Sequence, residues 1–215
     1  TRAGEFKDIS FEVHAGEIVG FAGLIGSGRT ELAKALFGAT CPNKGEIKIS
    51  NQKMKLFCHP REAISHGLVY LSEDRKQEGL ILLLSVRENI SLPIVKKISQ
   101  NLFVKRKEEQ NIVDSLIEKL KIKVFSRDQV VETLSGGNQQ KVVISKLLLT
   151  NAQVFIFDEP TRGIDVGAKY EIYKIMNDLT ADGKGIVFIS SELPEILGIS
   201  DRLYCMREGS IVKEY

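Results

Sequence analysis

Apolar and polar positions fall into three regimes along the chain. Ile9 to Val13 alternates apolar and polar residues, the period of a half-buried strand. Ala15-Gly16 turns the chain. Ile18 to Ala22 is a continuous apolar run closing on glycine, as in a strand covered on both faces. Thr30 to Phe37 sets Leu32, Ala33, Leu36 and Phe37 at helical spacing, and Gly38 and Pro42 end the pattern. Ile47 to Ile49 and Met54 to Phe57 predict short strands, and Leu68 to Leu71 another buried one.

The middle changes period. Ile112, Val113, Leu116, Ile117 and Leu120 form one helical stripe inside a dense run of charge. A solvated helix face explains that charge without a partner. Residues 73 to 150 read as a mostly helical insertion.

The last third returns to strand and helix in alternation. Val154 to Phe157 and Ile186 to Ile189 are buried strands, with a helix at Tyr170 to Leu179 between them. Pro194 to Leu197 is a short helix. Leu203 to Met206 and Ile211-Val212 fit a terminal hairpin. Helices between apolar strands predict an α/β fold with a mainly parallel sheet. The division expected is one domain over 1–215, with a core at 1–72 and 151–215 and a helical subdomain at about 73–150.

Composition narrows the class. A chain of 215 residues can bury about 70% of its unfolded surface and needs no covalent staple. Thirty basic against twenty-eight acidic residues leave +2, too little bias for nucleic acid or an anionic membrane. Cys41, Cys58 and Cys205 are odd in number, far apart and outside any metal-ligand spacing, so free thiols in a reducing compartment are expected. No stretch approaches the roughly 18 apolar residues of a membrane span. Thr1 to Lys7 lacks a charged-then-apolar leader.

The chemistry starts at Gly23-Leu24-Ile25-Gly26-Ser27-Gly28-Arg29-Thr30-Glu31, between a buried strand and a helix. Glycines let backbone N–H groups converge on a polyphosphate, and the helix start adds positive potential. Hydrogen bonds to a charged acceptor contribute roughly 1.5–3 kcal/mol each, so amides alone could hold a nucleotide. The motif ordinarily has lysine before the Ser/Thr, and Arg29 stands there instead. A guanidinium keeps the charge but is planar and forked rather than a point. Thr30 offers a hydroxyl to Mg²⁺.

Val154 to Phe157 runs into Asp158-Glu159, which places two carboxylates at the carboxyl edge of the sheet, where α/β proteins bind ligands. Asp158 suits Mg²⁺ and Glu159 suits deprotonating a water. Leu134-Ser135-Gly136-Gly137-Asn138-Gln139-Gln140-Lys141 opens a second glycine-rich helix start, another anion site.

These motifs together resemble ABC transporter ATPases. The LSGGNQQ run looks like that family's signature motif, about twenty residues ahead of the Asp-Glu strand. The likeness extends from Phe6 to Gly209. More narrowly, GRTEL at 28–32, SEDRKQEGL at 72–80, LSGGNQQK at 134–141 and DEPTRGIDVGAK at 158–169 resemble the second ATPase half of bacterial monosaccharide importers of the ribose type. There two such domains are fused in one polypeptide, and the resemblance implies the C-terminal one, with the adenine-stacking aromatic ahead of residue 1.

The resemblance implies a P-loop fold of the ABC type, with an antiparallel β edge beside the parallel core. It implies ATP and Mg²⁺ as cofactors. Residues 23–31 would hold this domain's nucleotide, with Thr30, Asp158 and Glu73 at the metal and Glu159 catalytic. Glu73 stands where the family has the Q-loop glutamine, with Ser72 the alternative register. Ser135, Gly136, Gly137 and Gln139 would reach the partner domain's γ-phosphate. Gly163-Ile164-Asp165 matches the D-loop. Ser191 occupies the position of the switch histidine and cannot do an imidazole's work.

Arg29 and Ser191 both depart at the γ-phosphate end, so weak hydrolysis at this domain's own site is expected. The implied partners are an N-terminal ABC domain of the same chain, transmembrane permease subunits and, indirectly, a sugar-binding protein. The implied location is the cytoplasmic face of the bacterial inner membrane. Leu80 to Leu84 reads as helical-subdomain core or as a groove for a permease helix. Two rival readings are a nucleotide-sensing module without hydrolysis and an ABC ATPase working on nucleic acid, which the +2 charge opposes.

Overall fold

The computed structural model describes residues 4–50, 52–101 and 103–215. The leader reading at the amino terminus falls partly on residues 1–3, outside these. Two compact units emerge. One comprises Thr1–Tyr70, Ala152–Pro160 and Met176–Tyr215, and the other Leu71–Asn151 and Thr161–Ile175.

In chain order the elements are β1 (Ile18–Gly23), α1 (Arg29–Leu36), β2 (Ile47–Ile49), β3 (Gln52–Met54), α2 (Pro60–Ser65), β4 (Leu68–Leu71), α3 (Val86–Ser91), β5 (Ser99–Gln100), β6 (Phe103–Val104), α4 (Arg106–Lys119), α5 (Gly136–Leu148), β7 (Val154–Asp158), α6 (Val166–Ala181), β8 (Gly185–Ile189), α7 (Leu193–Ile199), β9 (Arg202–Arg207) and β10 (Ser210–Glu214).

The first unit is built on a six-stranded sheet in the order β10-β9-β1-β8-β7-β4. β1 pairs in parallel with β8 and β9, β7 pairs in parallel with β8, and β10 closes the edge antiparallel to β9. The apolar runs are strands β1, β7 and β8, buried along almost their whole length as in a parallel sheet with both faces covered by packed layers. Phe21, Phe155, Phe157 and Phe188 are fully buried, each stabilising the fold by roughly 1.5–3 kcal/mol. One core joins Val19 and Phe21 of β1 to Leu32 and Ala33 of α1 and to Ile156, Val187 and Ile189.

Three expectations change here. Ile9 to Val13 forms no strand, although burial still alternates and Ile9, Phe11 and Val13 pack on the core. The second short strand lies at Gln52–Met54 rather than Met54 to Phe57. Ser50 takes φ 50° and turns the chain back at once, so Gln52 pairs with Ile49. Cys41 and Cys58 form a disulfide with Cα atoms 4.6 Å apart, which corrects the expectation of free thiols; among the described residues Cys205 alone is free. Sequence distance hid the pair. Gly38 lets the chain after α1 close on the start of α2, where a Cβ would sit 2.9 Å from the His59 backbone.

The second unit is mainly helical. Ser85 and Glu88 form a capping box on α3. Glu109 of α4 is buried and accepts hydrogen bonds from Ser91 at 2.7 Å, Arg87 at 3.0 Å and Arg106 at 3.1 Å. Burial alone would raise the Glu109 carboxyl, but the bonds from Ser91 and Arg106 and the charge of Arg87 outweigh it and hold the group below its ordinary range. Asp74 caps a five-residue π-type turn at Arg75–Gly79.

Candidate nucleotide site

The parallel register brings the predicted residues of the first unit to one edge. Phe21 of β1 and Asp158 of β7 both lie level with Ile189 of β8. The glycine loop, the Asp158-Glu159 pair and Ser190-Ser191 therefore leave three adjacent strands at the same end. That end is where open parallel sheets bind ligands.

The loop is built to expose its backbone. Leu24 and Ile25 are 86% and 94% exposed, so no side-chain packing holds them down. Gly28 precedes α1 at φ 96°, a left-handed conformation that suits glycine. A Cβ there would also stand 2.7 Å from the Glu5 carbonyl oxygen. No side chain caps α1, so its N-terminal amides carry the helix's positive end. Ser27 is buried, and its Oγ has no hydrogen-bond partner, a polar atom that costs free energy until something engages it.

Arg29 is engaged with the protein itself. It is 7% exposed, and its Nη1 donates to the Ser190 carbonyl oxygen at 2.5 Å. The guanidinium ties the start of α1 to the end of β8. Thr30 Oγ1 lies 3.3 Å from Asp158 Oδ1, and the Tyr70 hydroxyl donates to Asp158 Oδ2 at 2.9 Å. Asp158 is fully buried. Tyr70 reads from the sequence only as one more apolar position of a buried strand, and nothing there singles it out.

Glu159 follows with φ 48°, a conformation uncommon outside glycine. Its N–H donates to the Ile189 carbonyl oxygen at 2.9 Å, and its Oε2 accepts from Ser191 Oγ at 3.2 Å. Burial pushes its carboxyl above the ordinary range; the Ser191 bond and the charge of Arg29 offset this only in part. A carboxylate held this way is a stronger base than an ordinary one. Glu31 lies in the first turn of α1.

In the second unit the signature residues open α5, with Ser135 as an N-cap whose side chain leaves the helix amides free. Ser135 Oγ instead accepts from Asn138 Nδ2 at 2.9 Å. Gln139 is corrected: it is 3% exposed and donates to the Val131 carbonyl oxygen at 3.2 Å, so Asn138 is the amide beside Ser135. A Cβ on Gly136 would stand 3.0 Å from the Gly163 carbonyl oxygen, and one on Gly137 2.6 Å from Ala168 Cβ. Packing thus demands glycine at 137 and leaves little room at 136, independently of any anion.

Arg75 donates to the carbonyl oxygens of Arg162 at 2.8 Å and Gly163 at 3.4 Å, which fixes the D-loop segment. Asp165 accepts from the Ala168 N–H at 3.0 Å and so caps α6. Glu73 is ion-paired with Arg162 at 2.6 Å, while Ser72 is buried. Leu80 is buried and Leu83 is 80% exposed, so the apolar run at 80–84 is part core and part surface.

The oxygen donors at Thr30 and Asp158 fit Mg²⁺, a hard cation that takes one or two protein ligands and completes its shell with phosphates and water. No cluster of three or more histidine, cysteine or acidic side chains offers a self-sufficient metal cage among the described residues. No helix among them is long and apolar enough to cross a membrane.

Comparison with known proteins bears on the family and the fold. Ribose import ATP-binding proteins of Caldanaerobacter subterraneus subsp. tengcongensis and Bacillus subtilis are 54% and 51% identical, over 100% and 98% of this chain. The chain spans 43% of the length of each. A nucleotide-free ATP-binding cassette from an ABC transporter has the same fold, with a TM-score of 0.82 at 24% identity over 98% of this chain and 84% of that one. An ATP-binding cassette in a post-hydrolysis state, bound to ADP and Pi, superposes with a TM-score of 0.83 at 22% identity over 98% and 90%. The family described as ABC transporter matches residues 6–162, and the chain belongs to it.

Proposed function

We propose that this chain is the C-terminal ATP-binding domain of a monosaccharide importer of the ribose type, and that its own site binds ATP firmly but hydrolyses it slowly. One observation carries the second half of this reading. Arg29 is buried against the Ser190 carbonyl oxygen, so the one cation of the glycine loop is spent on the fold.

The loop amides and the start of α1 would hold the phosphates, with Thr30 and Asp158 the ligands for Mg²⁺. The ion would neutralise charge on the phosphate oxygens. Glu159 would take a proton from water, oriented by Ser191 Oγ. Ser135, Gly136, Gly137 and Asn138 would present the open start of α5 to the nucleotide of an N-terminal domain of the same polypeptide. Permease subunits would dock at the exposed part of residues 80–84, with a sugar-binding protein beyond them, on the cytoplasmic face of the membrane. The near-neutral charge of +2 supports this over work on nucleic acid.

Two measurements test the reading. ATP affinity and ATP turnover are measured separately, on this chain and on the fused pair. Binding by this chain is expected, with slow turnover that Glu159→Gln lowers further while leaving affinity intact. Brisk turnover by this chain alone, abolished by E159Q, sinks the asymmetry. Binding without any turnover in either setting favours the nucleotide-sensing module, which the Arg29 contact also supports.

A further inference from the structure

The two oxygens of Asp158 are held differently. Oδ2 accepts from the Tyr70 hydroxyl at 2.9 Å, an ordinary O–H···O bond. Oδ1 faces Thr30 Oγ1 at 3.3 Å, longer than the usual range for two oxygens. Asp158 is fully buried and Tyr70 is 9% exposed, so neither side chain swings freely into solvent. Tyr70 is itself pinned, its ring against Phe37 at the end of α1 with centroids 5.5 Å apart. β4 therefore carries a donor to one carboxylate oxygen of Asp158, while the other oxygen faces Thr30.

We propose that Tyr70 is a positioning residue for the metal–nucleotide site: its hydroxyl sets the rotamer of Asp158 so that Oδ1 and Thr30 Oγ1 form one hard-oxygen edge for a divalent cation. The proposal rests on the reading of Thr30 and Asp158 as Mg²⁺ ligands. Hydrogen bonds to a ligating carboxylate orient it, and losing one such partner typically costs about 10–100-fold in metal affinity. A hydroxyl that only satisfied a buried carboxylate would matter equally with and without metal.

The test uses Tyr70→Phe, which keeps the ring on Phe37 and removes one oxygen. Mn²⁺ serves as the probe, followed by electron paramagnetic resonance at saturating ADP, and ADP affinity is measured separately in EDTA. The expected result is a drop in Mn²⁺ affinity of about tenfold with metal-free ADP affinity unchanged. Mn²⁺ affinity within twofold of the parent overturns the proposal. An equal loss of metal-free ADP affinity overturns it as well, because Tyr70 would then serve only the fold. Asp158→Asn separates this from failure of the underlying reading. If D158N retains full Mn²⁺ affinity, or the parent takes up no Mn²⁺ with ADP, the ligand assignment itself falls and Tyr70 with it. A second readout leaves position 70 intact. The ¹³Cζ resonance of one tyrosine shifts when Mg²⁺ is added to the parent–ADP complex and does not shift in D158N; an unmoved parent spectrum overturns the proposal.

Discussion

Replacing Arg29 with lysine should improve turnover and weaken the fold at once. Arg29 is 7% exposed and donates to the Ser190 carbonyl oxygen at the end of β8. A lysine has a single ammonium group and no fork, so it cannot reproduce a guanidinium contact made from the start of α1. A hydrogen bond from a charged donor contributes about 1.5–3 kcal/mol. In a chain of this size 1 kcal/mol moves the midpoint of thermal unfolding by about 2–4 °C, so nucleotide-free R29K should melt roughly 3–12 °C below the parent. The freed ammonium would be a compact charge beside the glycine loop. Each 1.36 kcal/mol of transition-state stabilisation gives about a tenfold rate, and R29K should turn ATP over at least that much faster. Adding Ser191→His supplies an imidazole beside Glu159 and should raise the rate again. Scanning calorimetry without nucleotide and steady-state phosphate release read the two halves separately. R29K melting with the parent refutes the structural account of Arg29. Turnover that stays at the parental rate refutes the claim that this arginine restrains catalysis.

Three further outcomes follow from other parts of the molecule. Gly137→Ala should destabilise the chain by about 1–3 kcal/mol with or without nucleotide, because the new Cβ would stand 2.6 Å from Ala168 Cβ; pairing it with Ala168→Gly should recover part of the loss in urea unfolding. The Glu109 carboxyl is held below its ordinary range in the fold, so in the acid window the unfolded chain binds more protons and stability falls as pH drops through the folded value. Glu109→Gln should flatten that acid limb while lowering stability near neutrality by about 1–3 kcal/mol, since a buried carboxylate loses charged donors while Arg87 keeps its ion pair with Asp128; an unchanged acid limb counts against the cluster. Reducing the Cys41–Cys58 disulfide, whose partners are 17 residues apart, should cost about 3 kcal/mol by freeing the unfolded chain, measured by unfolding with and without reductant.

The legible parts of the fold were those where one local rule and the tertiary environment agree. Ile18–Gly23 inside the sheet and Leu68–Leu71 at its edge are both apolar and buried along almost their whole length, because other layers pack on the faces of the sheet. Ile9 to Val13 was misread because alternation reports which side faces the core and says nothing about a hydrogen-bonded neighbour. The Cys41–Cys58 pair and the Tyr70–Asp158 bond were invisible because they join segments 17 and 88 residues apart, and neither residue type announces its partner. Which amide of the glycine-rich run faces outward was not legible either: the helix turns Gln139 inward to Val131 and leaves Asn138 beside Ser135. The substitution at Arg29 was plain in the sequence; its engagement with Ser190 was not, since it depends on β8 ending beside the start of α1.

The two glycine-rich helix starts look alike as text but answer to different physics. At Gly28 the backbone itself is in the left-handed region, at φ 96°, so any other residue is strained whatever its neighbours do. At Gly136 and Gly137 the backbone is ordinary helix, and the constraint is room: the Gly163 carbonyl and Ala168 occupy the space a Cβ would take. The first demand cannot be relieved by trimming a neighbour, and the second can. Glycine at 136 and 137 therefore does two things at once. It lets α5 close on the D-loop segment within its own unit, and it keeps the α5 amides bare for an anion. The D-loop segment and the signature helix are for that reason a single packed object, held by Arg75 on one side and by missing side chains on the other. A perturbation at either should be felt at both, which makes residues 135–138 and 162–168 one packed unit rather than two separate motifs.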